Sequence, residues 1–255
     1  MGRFFIDSED LRDGEALISG REARHVSEVM RLGSGDRLVL FDGSGLEYSG
    51  TIKSVSRGGK EVRVALGEAR AVPRENIPAI TLAQAIPKKS KMDQIVEKAT
   101  ELGVGRIIPM LTERTVVRPE GRSGEKAVER WRRIAVEASK QCGRSVVPDI
   151  GEITDLEDVL GSRGDFDLLL MACLSEESLP LRQVIPRPLS GNMIVMIGPE
   201  GDFTPREIER AGENNFVSIS LGNRVLKSDT AGLFMLSVLI YEGSENSSGV
   251  PGKAA

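Results

Sequence analysis

The apolar residues of this chain follow one pattern before about residue 72 and another pattern after it. In the first region, segments such as 37–41, 47–53 and 61–66 alternate between apolar and polar side chains, which is typical of half-buried strands. Asp42–Gly45 separates the first two segments and contains two glycines, so it predicts a hairpin loop. Residues 1–72 are therefore predicted to form a small β-barrel or sandwich.

One helical pattern interrupts this first region. Residues 20–31 place Val26, with either Val29 or Met30, on one face of a predicted helix. His25, the only histidine of the chain, neighbours that face. We therefore expect His25 to pack or to hydrogen-bond rather than to take part in catalysis.

Two prolines within residues 71–78 predict a linker, and after it apolar runs alternate with helical periodicity. This alternation is typical of an α/β domain with a parallel sheet. The predicted strands are 79–86, 106–110, 166–171, 193–197 and 217–221; the predicted helices are one from Ser90 to Gly103, one over 126–142, one after Thr204, and 231–241. The domain is predicted to span 73–243, and the small and polar residues 244–255 predict a disordered tail.

The last two helices have recognisable beginnings. Thr204 is a good N-cap, and Glu207 three residues later completes the pattern of a capping box. Ser228 and Asp229 are alternative caps for the last helix, 231–241. Its side chains are apolar on nearly every side, so we expect this helix to be buried.

Two glycine-marked turns near the end of the chain are the best candidates for a ligand site. One contains Gly198 and Gly201, the other begins at Gly222, and each lies between a predicted strand and a predicted helix. Loops at strand ends present backbone amides and carbonyls, and glycine permits close approach of the backbone to a ligand. We therefore expect a loop-built binding site at these strand ends.

Composition excludes several classes of function. The 255 residues contain no membrane-length apolar run, and Met1–Asp10 is too charged for a signal peptide, so we expect a soluble, cytoplasmic protein. Cys142 and Cys173 are far apart in the sequence and His25 is alone, which argues against a disulfide framework, a metal site or a Ser-His-Asp triad. Neither a GxGxxG motif after a strand nor a P-loop is present.

Charge is unevenly distributed along the chain. The net charge of -4 divides into -1 for residues 1–75, +5 for 76–150 and -8 for 151–255. Clustered cations in the middle third suit a polyanion, although a solvated helix face is the alternative. These cations are Arg114, Arg118, Arg122, Arg130, Arg132, Arg133, Lys140 and Arg144.

Seven motifs in one order carry a resemblance to a known family. They are His25–Arg31, Lys98–Val104, Thr112–Thr115, Arg130–Trp131, Glu137–Arg144, Ile197–Gly201 and Leu221–Leu226. The chain resembles, from Arg3 to Tyr241, the RsmE family of 16S rRNA uridine N3-methyltransferases, which are knotted enzymes of the SPOUT class that use S-adenosyl-L-methionine (SAM). The resemblance implies a PUA-like N-terminal β-barrel, a C-terminal α/β domain tied in a trefoil knot, and a homodimer whose interface contributes to the active site.

The resemblance also implies a SAM pocket made of three loops. The implied contacts are Met171, Ala172, Leu174, Ile197, Gly198, Pro199, Glu200, Gly201, Leu221, Gly222, Val225 and Leu226. Two regions depart from the family pattern. A family glycine is Asp202 here, and the family's Leu-Arg-Thr-Glu-Thr-Ala reads Leu-Lys-Ser-Asp-Thr-Ala at 226–231. Lys227 thus keeps the charge of the family's arginine but loses its planar guanidinium.

The implied reaction is methylation of N3 of one uridine, uridine 1498 of 16S rRNA in the family. Its chemistry requires loss of the imide proton, alignment of sulfur, methyl and nitrogen, and stabilisation of negative charge on the uracil oxygens. Lys227, Arg224 or an arginine from the partner subunit suits that charge. Glu200 and Asp229 are candidate bases, although Glu200 can equally hold its own loop and Asp229 can cap the last helix.

RNA contacts are expected from arginines of both regions, mainly to phosphate and hence sensitive to salt. The candidates are Arg3, Arg24, Arg31, Arg114, Arg118 and Arg144. The implied partners are 16S rRNA in the assembled small ribosomal subunit and a second copy of the chain, with no metal and no membrane. Two alternatives stay open: a knotted enzyme that methylates a ribose 2′-hydroxyl of tRNA or rRNA, and a non-catalytic RNA-binding assembly factor.

Overall fold

The computed structural model describes residues 2–72, 79–89 and 91–244. The chain divides into two compact units: unit 1 comprises Met1–Arg74 and Val136–Val147, and unit 2 comprises Glu75–Ala135 and Pro148–Ala255. Residues 136–147, which the sequence assigned to the second domain, thus group with the first unit.

Three sequence predictions concern residues that the structure does not describe. Most of the predicted linker, the cap at Ser90 and the tail from residue 245 onward lie outside the described residues. Ser244, which the sequence assigned to the tail, is the last residue of a helix.

Unit 1 is built on a six-stranded sheet. Its strands are β1 (Gly2–Phe5), β2 (Leu11–Arg12), β3 (Glu15–Ser19), β4 (Arg37–Phe41), β5 (Leu46–Val55) and β6 (Glu61–Ala71), in the spatial order β1-β4-β5-β6-β3-β2. Neighbouring strands are antiparallel except β1 and β4, which are parallel. The predicted β-rich region is confirmed: β4 has the predicted bounds, while β5 and β6 are longer than predicted.

The helix predicted in unit 1 is shorter than expected. Helix α1 (Gly20–Arg24) continues into a π-helical turn, His25–Val29, in which the N–H of Met30 donates to the carbonyl of His25 at 2.9 Å. The wider turn contains one residue more than an α-helical turn, so the side chains that follow it are rotated. Val26 is buried as predicted, whereas Val29 and Met30 are both exposed, and their predicted packing was wrong.

His25 has the packing role that its position predicts. Its ring lies edge-on to the ring of Phe4, with 5.6 Å between the ring centroids. Phe4 and Val26 belong to the buried core of unit 1 together with side chains from β4 and β6. The imidazole is therefore part of the wall of this core.

Unit 2 contains an eight-stranded parallel sheet. Its strands are β7 (Ala79–Ala85), β8 (Arg106–Leu111), β9 (Asp149–Ile150), β10 (Thr154–Asp155), β11 (Leu168–Ala172), β12 (Leu179–Pro180), β13 (Asn192–Ile197) and β14 (Val217–Ser220). The order is β10-β8-β7-β13-β11-β14-β12, and β9 pairs with β8. The parallel sheet is confirmed, and its five longer strands lie within two residues of prediction. The two-residue strands were missed because they are too short to show periodicity.

Six further helices follow in the described part of the chain. They are α2 (Lys91–Leu102), α3 (Gly121–Cys142), α4 (Leu156–Gly161), α5 (Leu181–Val184), α6 (Pro205–Glu213) and α7 (Ser228–Ser244). Gly103 follows α2 with a φ of 107°, as expected for a glycine that ends a helix. Helix α3 begins five residues before its predicted start, because Gly121, Ser123 and Gly124 are poor helix formers and conceal its first turns.

The capping box at the start of α6 is confirmed. Thr204 Oγ1 accepts a hydrogen bond from the N–H of Glu207 at 3.2 Å, and the N–H of Thr204 donates to Glu207 Oε2 at 2.8 Å. Two amides that have no partner within the helix are thereby satisfied. The same carboxylate also accepts from the N–H of Glu113 at 2.8 Å, so the start of α6 is tied to the segment after β8.

The two faces of the unit 2 sheet pack against different helices. Ala83 and Ala85 of β7 belong to a buried cluster with side chains of α4 and α6. Alternate residues of a strand point to opposite faces, so Leu82 and Gln84 lie on the other face. That face receives α7, since a Cβ built on Gly232 would lie 3.6 Å from Leu82 and 2.8 Å from Gln84 Oε1.

Helix α7 is buried on one face only. Met235, Leu236 and Leu239 are buried, whereas Phe234 is 41% and Tyr241 is 65% exposed. The prediction of a fully buried helix was therefore wrong for the single chain. Its sequence shows no polar face because the side turned away from the sheet is apolar as well.

Candidate functional site

Three neighbouring strands of unit 2 end side by side and supply three loops. β11 lies between β13 and β14, and Ala172 of β11 pairs with Ile197 on one side and Ile219 on the other. Because parallel strands in this register end together, the loops that follow them lie at the carboxyl end of the sheet, where open α/β sheets bind ligands. We name these loop 1 (172–174), loop 2 (197–202) and loop 3 (220–228).

The three loops, with the first turn of α7, enclose a cavity. It is lined by Ala172, Cys173, Leu174, Ile197, Gly198, Pro199, Glu200, Asp202, Ser220, Leu221, Gly222, Arg224, Val225, Leu226, Lys227, Ser228 and Ala231. Most of these side chains are apolar, while loop 2 adds two carboxylates and loop 3 adds two cations. The cavity can therefore hold a ligand that combines apolar surface with charges of both signs.

Ten of the twelve implied cofactor residues line this cavity. Met171 does not, because its side chain lies fully buried in the sheet core one residue before loop 1. Gly201 does not line it either, since Arg114 Nη1 donates to the carbonyl of Gly201 at 2.7 Å and to that of Phe203 at 3.1 Å. A Cβ on Gly201 would lie 3.4 Å from Cδ of Arg114, so the Arg114 side chain packs beside this glycine, and its predicted cofactor contact stays a prediction.

Gly222 has the conformation that a close approach of the backbone requires. Its φ is 108°, in a region that other residues rarely adopt, and a Cβ built there would have no heavy atom within 4 Å. Gly222 therefore keeps one side of the cavity open.

Asp202 links two of the loops. Its φ is 59°, a left-handed conformation that Asp tolerates better than most residues, and its Oδ2 accepts a hydrogen bond from the N–H of Leu174 at 2.8 Å. A glycine here would adopt the same backbone but would leave that amide without this acceptor. The departure from the family pattern thus adds a contact between loop 1 and loop 2.

Replacing Asp202 by glycine is expected to speed hydrogen exchange of the Leu174 amide about tenfold, since a hydrogen bond to a charged group contributes about 1.5–3 kcal/mol and this one is partly exposed. Asp202→Asn keeps a carbonyl oxygen as acceptor and should retain most of the protection. Amide exchange measured by NMR checks this. Equal protection in the glycine variant and the native chain would contradict a linking role for the carboxylate.

A buried polar chain that sequence reasoning missed holds loop 2 to loop 3. Gln84 Nε2 donates to Ser228 Oγ at 2.9 Å and to the carbonyl of Ala85 at 3.1 Å, and Ser228 Oγ donates to the carbonyl of Gly198 at 2.5 Å. Gln84 is fully buried. A signal was present in the sequence, because a glutamine inside a largely apolar buried strand requires hydrogen-bond partners.

The proposed catalytic residues lie at the cavity. Lys227 and Arg224 of loop 3 line it and are exposed, and neither forms an ion pair with any described residue. Glu200 also lines it, and its Oε1 accepts a hydrogen bond from the N–H of Lys88 at 3.0 Å. Asp229 pairs with Lys91 at 3.1 Å. Both candidate bases therefore have a structural contact.

Arg3 has an internal role in unit 1. Its guanidinium donates to Glu47, to Ser145 Oγ and to the carbonyls of Ser139 and Arg144, at 2.8–3.3 Å. It also lies 3.9 Å from the centroid of the Phe41 ring, and its side chain is 18% exposed. Arg3 therefore holds the segment 136–147 to the sheet, and its predicted RNA contact stays a prediction.

The other predicted RNA contacts differ in their surroundings. Arg24 and Arg31 of unit 1 are exposed, and Arg144 is half-buried. In unit 2, Arg118 donates to the carbonyls of Thr112 and Thr115, so it shapes the segment after β8, as Arg114 shapes loop 2. Charge reversal at these two arginines would therefore disturb loops as well as surface charge.

Within the described residues, no group of three or more His, Cys, Asp or Glu side chains is arranged to hold a metal ion. None of the helices in this part of the chain combines the length and the apolar character needed to cross a membrane. Cys142 is exposed and Cys173 is buried, and both are free thiols.

Two family models match the chain. The model of the RNA methyltransferase domain matches residues 73–240, which include the whole cavity. The model of the RNA methyltransferase PUA domain matches residues 18–65 of unit 1.

Relatives match over nearly the whole length. The ribosomal RNA small subunit methyltransferase E of Bacillus subtilis is 32% identical over 95% of this chain and 97% of its own. A methyltransferase structure from Legionella pneumophila in complex with SAM is 32% identical, with a TM-score of 0.82 over 93% of this chain and 96% of that one. A ribosomal RNA small subunit methyltransferase E from Neisseria gonorrhoeae, bound to SAM, is 28% identical, with a TM-score of 0.80 over the same shares. The chain therefore belongs to the ribosomal RNA small subunit methyltransferase E family, the RsmE family.

Proposed function

We propose that the protein binds SAM in the cavity of loops 1–3 and transfers its methyl group to N3 of one uridine of 16S rRNA, the position equivalent to uridine 1498. One observation carries the proposal: three strand ends in register bring ten of the twelve implied cofactor residues to a single cavity. These residues come from three separate segments of the sequence, so their meeting is a property of the fold.

The cavity fits the chemistry of SAM. SAM combines a flat adenine and an apolar methylene chain with a carboxylate, an ammonium and a sulfonium. Ala172, Ile197, Leu221 and Leu226 offer apolar surface, and loops 2 and 3 offer charges of both signs. When bound, SAM supplies an electrophilic methyl group.

The cations of loop 3 have two tasks in this proposal. A positive charge near the uracil favours its anion, so Lys227 and Arg224 lower the free energy of proton loss from N3. The same charges stabilise the negative charge that spreads over the uracil oxygens. The structural contacts of Glu200 and Asp229 favour solvent as the acceptor of the imide proton.

A homodimer and a trefoil knot belong to the same proposal. The exposed apolar face of α7, with Phe234 and Tyr241, suits a partner subunit, and Leu174 and Val225 expose apolar side chains at the cavity. Helix α7 directly follows β14 yet packs on β7 and β13, on the other side of β11. After β14 the chain must pass back over β11 to reach β13 and β7, and a knotted path accounts for this crossing.

The assembled small ribosomal subunit is the proposed substrate, in the cytoplasm where ribosomes are assembled. The match to curated relatives covers 95% of the chain, including the PUA domain, which favours their reaction over ribose 2′-hydroxyl methylation. The cavity of loops 1–3 is formed with Asp202 and Lys227 in its lining, which favours a catalytic protein over a non-catalytic assembly factor.

Transfer of labelled methyl from SAM to small ribosomal subunits that lack the modification tests the proposal. We expect N3-methyluridine at a single site in nucleoside analysis, and no incorporation into subunits that already carry the modification. A ribose-methylated product would replace the proposal with the 2′-hydroxyl alternative. Absence of transfer with SAM binding established by calorimetry would favour the assembly-factor alternative.

A further inference from the structure

A fourth loop lies at the same carboxyl end of the sheet. It carries lysines that are not part of any of the seven family motifs. β7 pairs with β13, and Gln84 lies opposite Ile197, so the segment after β7 begins beside loop 2. This segment contains Lys88 and Lys89 and is followed by Lys91, the first residue of α2; we call these three residues the lysine loop.

The lysine loop is attached to the rim of the cavity at two points. The backbone N–H of Lys88 donates to Glu200 Oε1 at 3.0 Å, and Glu200 lines the cavity. Lys91 Nζ lies 3.1 Å from Asp229 Oδ1, and the residue before Asp229 lines the cavity as well. The loop therefore has a defined position beside the place where we expect the substrate to enter.

The three lysines differ in their partners. Lys91 and Asp229 neutralise each other, with side chains 29% and 26% exposed. Lys88 and Lys89 are exposed, and within the described part of the chain no carboxylate forms an ion pair with either ammonium. Lys91 thus anchors the loop, whereas the charges of Lys88 and Lys89 face solvent uncompensated.

These two charges make the rim positive. Arg224 and Lys227 line the cavity from loop 3, and Glu200 and Asp202 line it from loop 2. Without the lysine loop the rim charges cancel; with it, two positive charges remain. A basic rim beside a neutral cavity attracts a ligand whose anionic part stays outside while its uncharged part enters.

We propose that Lys88 and Lys89 bind phosphate groups of the substrate RNA next to the nucleotide whose base enters the cavity. The inference rests on the proposed function, because it requires an RNA substrate. An enzyme that acts on a base must take it out of its stack at a cost of a few kcal/mol. Phosphate contacts beside the cavity offset that cost and hold the nucleotide in place.

The test replaces both charges in the full-length protein. For Lys88→Gln with Lys89→Gln, we expect RNA affinity to fall about tenfold at physiological salt and the slope of log affinity against log salt to decrease by about 1.5, as for two lost phosphate contacts. The probe is a fluorescein-labelled 16S rRNA fragment containing the target uridine, measured by anisotropy at several salt concentrations. SAM affinity, measured by calorimetry, should change less than about twofold.

A control variant likewise removes two positive charges, but at the amino end of the sheet. Arg106 begins β8 and pairs with Asp149 at 3.0 Å, and Arg163 lies in the turn before β11 and donates to Asn214. Both lie on the amino-terminal side of their strands, and neither lines the cavity. The double variant Arg106→Gln with Arg163→Gln should leave the salt slope unchanged.

Two results would overturn the inference. One is equal salt slopes for the two double variants; the other is a loss of SAM affinity in the lysine variant as large as its loss of RNA affinity, which would mean that the loop shapes the cavity. Failure of the proposed function is seen separately. It appears as absence of N3-methyluridine with the native protein, whatever the lysine variant does to RNA affinity.

Discussion

Replacing Lys227 by alanine is expected to slow methyl transfer about 100-fold while changing SAM affinity less than about threefold. Lys227 lines the cavity, is exposed, and forms no ion pair with a described residue, so its charge is available to the substrate. A charge that acts on the uracil anion contributes mainly after SAM has bound. Single-turnover transfer and calorimetric SAM binding measure the two quantities separately.

Lys227→Arg is the matched control. It restores the residue of the family pattern and keeps the positive charge, so at least a tenth of the native rate should remain. An equal loss of rate and of SAM affinity in Lys227→Ala would contradict the electrostatic role. It would assign Lys227 to the binding or the shape of loop 3.

Replacing Ser228 by alanine is expected to lower the free energy of unfolding by about 2 kcal/mol and SAM affinity about tenfold. The change leaves the carbonyl of Gly198 without its buried donor and removes one of the two acceptors of Gln84 Nε2, which keeps the carbonyl of Ala85. Loop 2 then loses its direct connection to the start of α7. Urea denaturation measures the stability, and calorimetry measures the affinity.

Ser228→Thr is the control, because the family pattern has threonine here and threonine keeps the hydroxyl. We expect its stability to lie within about 0.5 kcal/mol of the native protein. A Ser228→Ala variant as stable as the native chain would show that the polar chain through Gln84 does not stabilise the fold. Loss of affinity in both variants alike would point to crowding in the cavity and not to the hydroxyl.

Local features of the fold were predictable from the sequence. The five longer strands of unit 2, the capping box at Thr204 and the glycine that ends α2 depend on residues within a few positions of one another. The capping contacts form within one turn of the chain, whereas the strands pair with distant strands and only their apolar runs are local. For this reason periodicity and capping patterns located them to within two residues.

Expectations from local sequence patterns failed where an unusual local conformation or contacts with distant residues changed the position of a side chain. The π-helical turn rotated Val29 and Met30 out to solvent, and a simple helical period contains no such turn. Arg3 looked like a surface cation, but Glu47 and the carbonyls of a segment about 140 residues away surround its guanidinium. Arg114 looked like a surface cation as well, but it donates to the carbonyl of Gly201, 87 residues away.

The sequence by itself determined the alternation of strands and helices, the three loops that carry the cavity residues and, through its motifs, the family. Only the tertiary structure decided how those loops are held: Gln84 and Ser228 are 144 residues apart, and Lys88 and Glu200 are 112 apart. A hydrogen bond depends on distances of about 3 Å, and the relative positions of residues so far apart along the chain follow from strand register and helix packing. For that reason Asp202, Ser228 and the lysine loop gained their roles only in the folded chain.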